Sequence, residues 1–383
     1  MAVIYDNKQV HKGVIAYVFL WALLFIFTLR AFSVANFISQ SRILFIVAII
    51  TMGYFVGKKN VRPVKTIRYA IAIAAYMTFV CLIYKGINAD AISQMISNLL
   101  WVIVIYQLYK MEISEKDMQL ISYIMVGTCN LCAFIYVSDY IIWITELENI
   151  QAIGAINSIY YILSLIPFVF FIKEIWLSVL LYLLPLYAIT VSGKTTCLFC
   201  AIMIIVYIVW SSFKTKGGMR VAILLASLGL LAFRFLSTLD INVISTAISE
   251  DLETGGNGRQ DIWLQVLALW IDGGLFQLIF GHGVNAISLK IGLGGHNDFL
   301  EMLYCYGIVG LLLLVSFIIS LYKVLKISVS EISLKTAYVI SLIVFLFSIT
   351  ASKLFATQIG MIPLSLFWGI YFSYIFRHKC SLQ

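Results

Sequence analysis

The sequence predicts an all-α polytopic membrane protein with about twelve transmembrane helices and one large outer loop. Three observations lead there. Of 383 residues, 62% are hydrophobic and 11% charged, whereas soluble domains carry about 45–50% apolar and about 25% charged residues. Apolar runs of roughly 20 residues, enough to cross hydrocarbon as a helix, recur from end to end. Period-2 alternation is absent, which excludes a closed barrel, the other architecture that satisfies its backbone in lipid.

The expected spans are 14–29, 43–57, 67–84, 91–109, 119–138, 156–172, 174–192, 195–213, 219–236, 299–322, 334–351 and 359–376. They divide the chain into residues 1–236 with nine helices, an outer loop 237–297, and residues 298–383 with three more. The first span follows Lys8 and Lys12 and shows no small-residue cleavage signature, so it reads as a retained anchor. Basic residues set orientation. With both termini cytoplasmic, the inner segments hold 18 of the 26 Lys and Arg, among them Lys58, Arg68, Lys110, Lys173, Lys323 and Arg377. Those segments hold six of the 18 acids. The net charge of +8 therefore splits into +12 inside and −4 outside. Topology explains the basic balance, and nucleic-acid binding is not needed.

Polar chemistry is concentrated in Thr254 to Gly310, which holds GGNGRQDIW, FGHG and GLGGHNDFLEMLYCYGIVG. A loop of this length among short connections is usually functional. Its middle has helical periodicity: Ile262, Trp263, Val266, Leu267 and Trp270 fall on one face, with Gln260, Asp261, Gln265 and Asp272 between them. Such a helix lies in the headgroup layer, or else re-enters the bundle. The sequence shows no internal repeat, unlike transporters built from matching halves.

Several residues have the right type for chemistry, and each has a plainer reading beside it. Arg259 follows GGNG. A guanidinium suits phosphate oxygens, and it equally suits an ion pair with Asp261, Glu253 or Asp251. His296 stands at the water boundary just before the tenth span, where an imidazole can accept a proton near neutral pH. The adjoining helix N-terminus favours an anion. Asn297 and Asp298 suit helix capping, and Asp298 with Glu301 has capping-box spacing, placing the helix start near Phe299. Lys194 in TVSGKTT is either a phosphate contact or a snorkelling lysine. That stretch shares part of a Walker A pattern but lacks its glycine spacing. His282, between Gly281 and Gly283, is a hydrogen-bonding group on a turn, and Asp139 a boundary acid. The pairs Cys129/Cys132 and Cys197/Cys200 have CxxC spacing, but they lie in apolar helical runs without histidine and read as packing residues. No outer DxD or HExxH pattern occurs, so neither a metal nor another cofactor is expected.

In their order these motifs resemble the O-antigen polymerase and ligase superfamily, which includes the Wzy-type polymerases. Ser192-Gly193-Lys194 matches the serine-arginine motif at an outer helix end, with lysine in place of arginine. Gly258-Arg259 with Trp263 matches the glycine-arginine motif, and Gly281-His282-Gly283 the glycine-rich turn. His296-Asn297 with Leu300, then Gly307 and Gly310, match the last. The resemblance implies a GT-C-like, inverting, metal-independent glycosyltransferase that polymerises surface-polysaccharide repeat units. Its partners would be an undecaprenyl diphosphate-linked oligosaccharide, membrane lipid and a chain-length regulator protein. His296 and Arg259 would be catalytic; Lys194, Arg259, His282, Asn297 and Trp263 would bind substrate, on the periplasmic face. Two alternatives stay open: a ligase transferring the glycan to lipid A-core, and a lipid-linked oligosaccharide flippase. The flippase predicts charged residues facing a central cavity in both halves and no large outer loop.

Overall fold

The computed structural model describes residues 7–30, 37–58, 61–146, 157–212, 259–292, 294–327, 332–352 and 358–379. Among them every regular element is helical. The helices are α1 (Asn7–Arg30), α2 (Phe37–Val56), α3 (Lys65–Lys85), α4 (Ala89–Lys110), α5 (Glu115–Glu146), α6 (Ile159–Val169), α7 (Ile175–Val191) and α8 (Thr195–Ser212). They continue with α9 (Arg259–Ile271), α10 (Leu275–Phe280), α11 (Ala286–Ile291), α12 (Asp298–Val324), α13 (Ile332–Ala351) and α14 (Gln358–Ser373), the last extended by a π-turn over Tyr374–Lys379. Among the described residues six helices are long and apolar enough to cross a membrane: α1, α3, α4, α5, α12 and α13. Shorter apolar helices occupy Leu44–Val56, Ile159–Val169, Trp176–Val191 and Thr195–Ser211. Each expected span falls on a helix except 219–236, which lies outside the described residues, as do 237–258 and the GGNG stretch.

The core is where α4 packs against α3 and α14, and where α6 and α13 close on α14. Aromatic rings fill it: Trp101 on α4 meets Phe317 on α12 at 5.8 Å, and Phe317 meets Trp368 on α14 at 5.8 Å and Phe345 on α13 at 6.0 Å. Lipid supplies no hydrophobic drive between helices, so van der Waals packing and satisfied polar groups hold them together. The Trp368 indole N–H accordingly donates to Ser341 Oγ at 3.0 Å. Tyr17 on α1 donates to Gln107 Oε1 at 2.8 Å, and Gln107 Nε2 donates to the Ile50 carbonyl at 2.7 Å, pinning α1, α2 and α4.

One end of the bundle gathers the basic connections. There Lys58 bonds Glu112, Lys173 bonds Glu115 at 2.8 Å, and the Arg377 guanidinium donates to the Lys110 carbonyl at 2.6 Å. Asp117 caps its own helix by accepting from Ser114 N–H at 3.0 Å, and His11 of α1 sits 2.6 Å from the same carboxylate. At the opposite end α9, α10 and α11 all pack on α12. These three short helices carry the candidate site.

Candidate functional site

The floor of the site is a break in α12. Gly307 has φ 67°, inside a run of otherwise helical residues. This left-handed-side conformation favours glycine, and space demands it as well. A Cβ at Gly307 would stand 2.2 Å from the Ile279 carbonyl oxygen, and one at Gly281 would stand 2.3 Å from the Cys305 carbonyl oxygen. The turn Phe280–Gly283 thus lies backbone to backbone on the kink.

A helix kink leaves carbonyls without their intrahelical donors. Here other elements satisfy them. His282 N–H donates to the Tyr304 carbonyl at 2.9 Å, and Gly283 N–H to the Cys305 carbonyl at 3.0 Å. Tyr76 on α3 donates to the Tyr306 carbonyl at 2.8 Å, while Tyr84 donates to the Gly281 carbonyl at 2.5 Å. The FGHG glycines are therefore accounted for by packing on the kink. The His282 imidazole stacks on Tyr304 with centroids 4.3 Å apart and planes at 15°. Its Nε2 is buried and has no hydrogen-bond partner among the described residues. Burial, with Lys290 as a second cause, holds its pKa below the ordinary 6.5. A ligand contact by His282 would have to use other ring atoms.

Above the floor, one residue is clamped through the peptides on either side of it. Gly295 N–H donates to Glu301 Oε1 at 2.9 Å, and the Gly295 carbonyl accepts from the Trp263 indole N–H at 2.9 Å. Gly295 and Glu301 are buried. The next residue, His296, is exposed and takes φ 47°, a left-handed conformation uncommon outside glycine. The clamp holds the backbone leading into it. Glu301 also accepts a longer contact from Cys305 Sγ, at 3.5 Å.

The cap of α12 differs from the expected one. The helix starts at Asp298, and its cap is Asn297, whose Oδ1 accepts from Phe299 N–H at 2.9 Å and Leu300 N–H at 3.2 Å. Glu301 reaches past the cap to Gly295 and forms no capping box with Asp298. The first-turn N–H groups are thus taken by the protein itself, and two acids, Asp298 and Glu301, occupy that turn. An anion at this helix end would compete with Asn297 for the Phe299 and Leu300 N–H groups.

Cations converge on the site from elsewhere. Lys194 lies between α7 and α8, just after Gly193 with φ 64°. This is a helix–turn–helix corner without a strand or phosphate loop. Lys194 acts electrostatically on Cys197 of α8, and Arg259 acts on Tyr160 of α6. Tyr160 in turn interacts with Cys197 and Thr196. Arg259 and Lys194, far apart in sequence, therefore approach one Tyr160–Cys197 patch. Both are partly exposed.

No family model matches the chain. No curated protein matches its sequence either. The site is accordingly read from its own geometry. Arg259 precedes Trp263 by four residues, so the two share a face of α9. Trp263 is bonded to the residue before His296. The structure therefore draws Arg259 and Trp263 of α9 beside the loop of His296 and Asn297, while Lys194 lies at the corner next to Cys197. His282 is set in the turn beneath. Sequence reading missed Glu301 in its present role, as well as Tyr76, Tyr84 and Tyr160. Their partners are backbone atoms or residues far along the chain, and spacing gives no signal for those.

The exposed side of α9 and its neighbours is amphipathic, with Gln260, Asp261 and Gln265 beside apolar residues. Leu264, Ile271, Leu275 and Phe276 are exposed, whereas Val266 is buried. A mixed surface of this kind suits the headgroup layer, and the helix also packs on α12.

Proposed function

We propose that the chain is a polymerase of surface-polysaccharide repeat units, embedded by about twelve spans in a bacterial inner membrane and working on its outer face. The observation that carries this reading is the Trp263–Gly295 bond, which joins the arginine-bearing helix to the histidine-bearing loop. Arg259 lies one turn before Trp263 and His296 follows Gly295, at the end of the bundle opposite the basic connections. Twelve spans and a GT-C-like architecture belong to the same proposal, as does a chain-length regulator partner.

In this scheme Arg259, assisted by Lys194, holds the diphosphate of an undecaprenyl-linked donor and stabilises the charge that develops on it. His296 accepts the proton of the acceptor sugar hydroxyl. The hydroxyl oxygen forms its bond to the donor's anomeric carbon as the bond from that carbon to phosphate oxygen breaks. The electron pair leaves with the lipid diphosphate, and the proton passes from His296 to water. A diphosphate leaves without being protonated, so no metal or second acid is required by the scheme. The exposed apolar residues of α9 and α10 lie against the lipid tail.

The test is substitution, read as the ladder of polysaccharide lengths in cells with normal amounts of the protein. Arg259→Ala and His296→Ala should each collapse the ladder to single repeat units on core. An undiminished ladder from either variant removes that residue from the scheme. Bare lipid A-core would mark a ligase instead. Translocation without chain extension in reconstituted vesicles would mark a flippase.

A further inference from the structure

A second site lies at the basic end of the bundle, between α2 and α4. Gly53 and Gly57, four residues apart on α2, let that helix lie against α4: a Cβ at Gly53 would stand 2.4 Å from Gln107 Oε1, and one at Gly57 3.2 Å from Lys110 Cβ. Beside this contact the two helices leave a groove of about 560 Å³, walled by Ile50, Phe55, Ile103 and the rings of Tyr54 and Tyr106. Its polar groups are almost all spent within the protein. Gln107 is bonded to Tyr17 and to the Ile50 carbonyl. Thr51 Oγ1 donates to the Val47 carbonyl at 2.8 Å, and Tyr106 donates to the Val61 carbonyl at 2.8 Å. Hydrocarbon is the filling these walls accept.

The rim differs. The Lys110 ammonium stands 5.8 Å from the Tyr54 ring centre and 5.6 Å from that of Tyr106, at the groove's basic end. Two aromatic faces hold a cation in place without neutralising it. Lys110 has no carboxylate within ion-pair distance among the described residues, whereas nearby Lys58 and Glu112 are paired with each other. An oriented, uncompensated ammonium at the end of an apolar groove matches a ligand with an anionic phosphate and a hydrocarbon chain.

We infer that this groove binds one anionic phospholipid, its acyl chain between α2 and α4 and its phosphate on Lys110. The site is at the opposite end of the bundle from His296 and does not depend on the polymerase reading. The experiment compares retention of phosphatidylglycerol and phosphatidylcholine by the full-length protein in mild detergent, using native mass spectrometry. The wild type should retain phosphatidylglycerol about tenfold better, because the choline cation of phosphatidylcholine cancels the charge of its phosphate and is repelled by the Lys110 ammonium. Lys110→Ala should bring the two lipids level, and Lys110→Arg should keep the preference. The Lys110 backbone, which receives Arg377, is untouched by either change. Ile103→Trp should fill the groove and displace the bound lipid. Equal retention of both lipids by the wild type, or an unchanged preference in Lys110→Ala, would overturn the assignment. So would stronger retention of undecaprenyl phosphate than of phosphatidylglycerol.

Discussion

Replacing Trp263 with phenylalanine isolates the clamp on the His296 loop. The substitution keeps an aromatic ring on α9 and deletes the indole N–H, which is 2.9 Å from the Gly295 carbonyl. Gly295 is buried, so its carbonyl is left without a partner or must draw in water. An unsatisfied buried acceptor costs about 1–3 kcal/mol. Every 1.4 kcal/mol is about tenfold in an equilibrium, so the ordered loop should lose roughly a factor of ten or more against open forms. The Gly295 amide, bonded to Glu301, reports this directly. Its hydrogen exchange should quicken by about the same factor. Under the proposed mechanism the turnover of chain extension should fall in step, with donor KM changed less, because Arg259 stays in place. Glu301→Gln should act through the same residue, Gly295, and the double variant should lose less than the two single losses multiplied. Quickened exchange with full turnover would show that the clamp is structural and that His296 does no chemistry. Lost turnover with unchanged exchange would show that Trp263 acts by another route.

The remaining expectations are narrower. Gly307→Ala should destabilise by about 3 kcal/mol or more, since a left-handed conformation and a backbone overlap at Ile279 combine; thermal unfolding in detergent measures this, and a loss under 1 kcal/mol (roughly one small core defect) would refute the close approach. Asn297→Ala should cost about 0.5–2 kcal/mol through the lost cap, while Asn297→Asp keeps it; full stability with lost extension in Asn297→Asp would assign Asn297 to substrate. His282 has a folded pKa below its ordinary 6.5, so the unfolded chain binds the extra proton first. Its contribution to stability is intact above about pH 6.5 and is lost as pH falls below that. Stability between pH 7 and 5 should therefore depend less on pH in His282→Gln, and identical profiles would exclude the coupling.

Much of the fold was legible along the chain, because hydropathy and charge are properties of consecutive residues. The described helices, six of them long and apolar enough to cross a membrane, the basic connections and the helix over 259–271 were visible in local pattern. So was Asn297 as a capping residue, since a cap is bonded to groups two and three positions away. The neighbouring acids were harder to place. Asp298 and Glu301 have the spacing of a capping box, yet Glu301 bonds to Gly295 because a buried N–H there needed an acceptor. The glycines of FGHG resembled a ligand-binding turn, and their immediate reason is that two backbones touch at Gly281 and Gly307.

From its residues alone, then, this chain declares a helical membrane protein with arginine and histidine at a water boundary. Assembly decided which peptide those residues share, where the cations gather, and which groove is left with a bare ammonium. The division has a physical cause. Burial in lipid selects residue types one by one along a helix, whereas a hydrogen bond between Trp263 and Gly295 exists only once two distant backbones have been packed on the same kink.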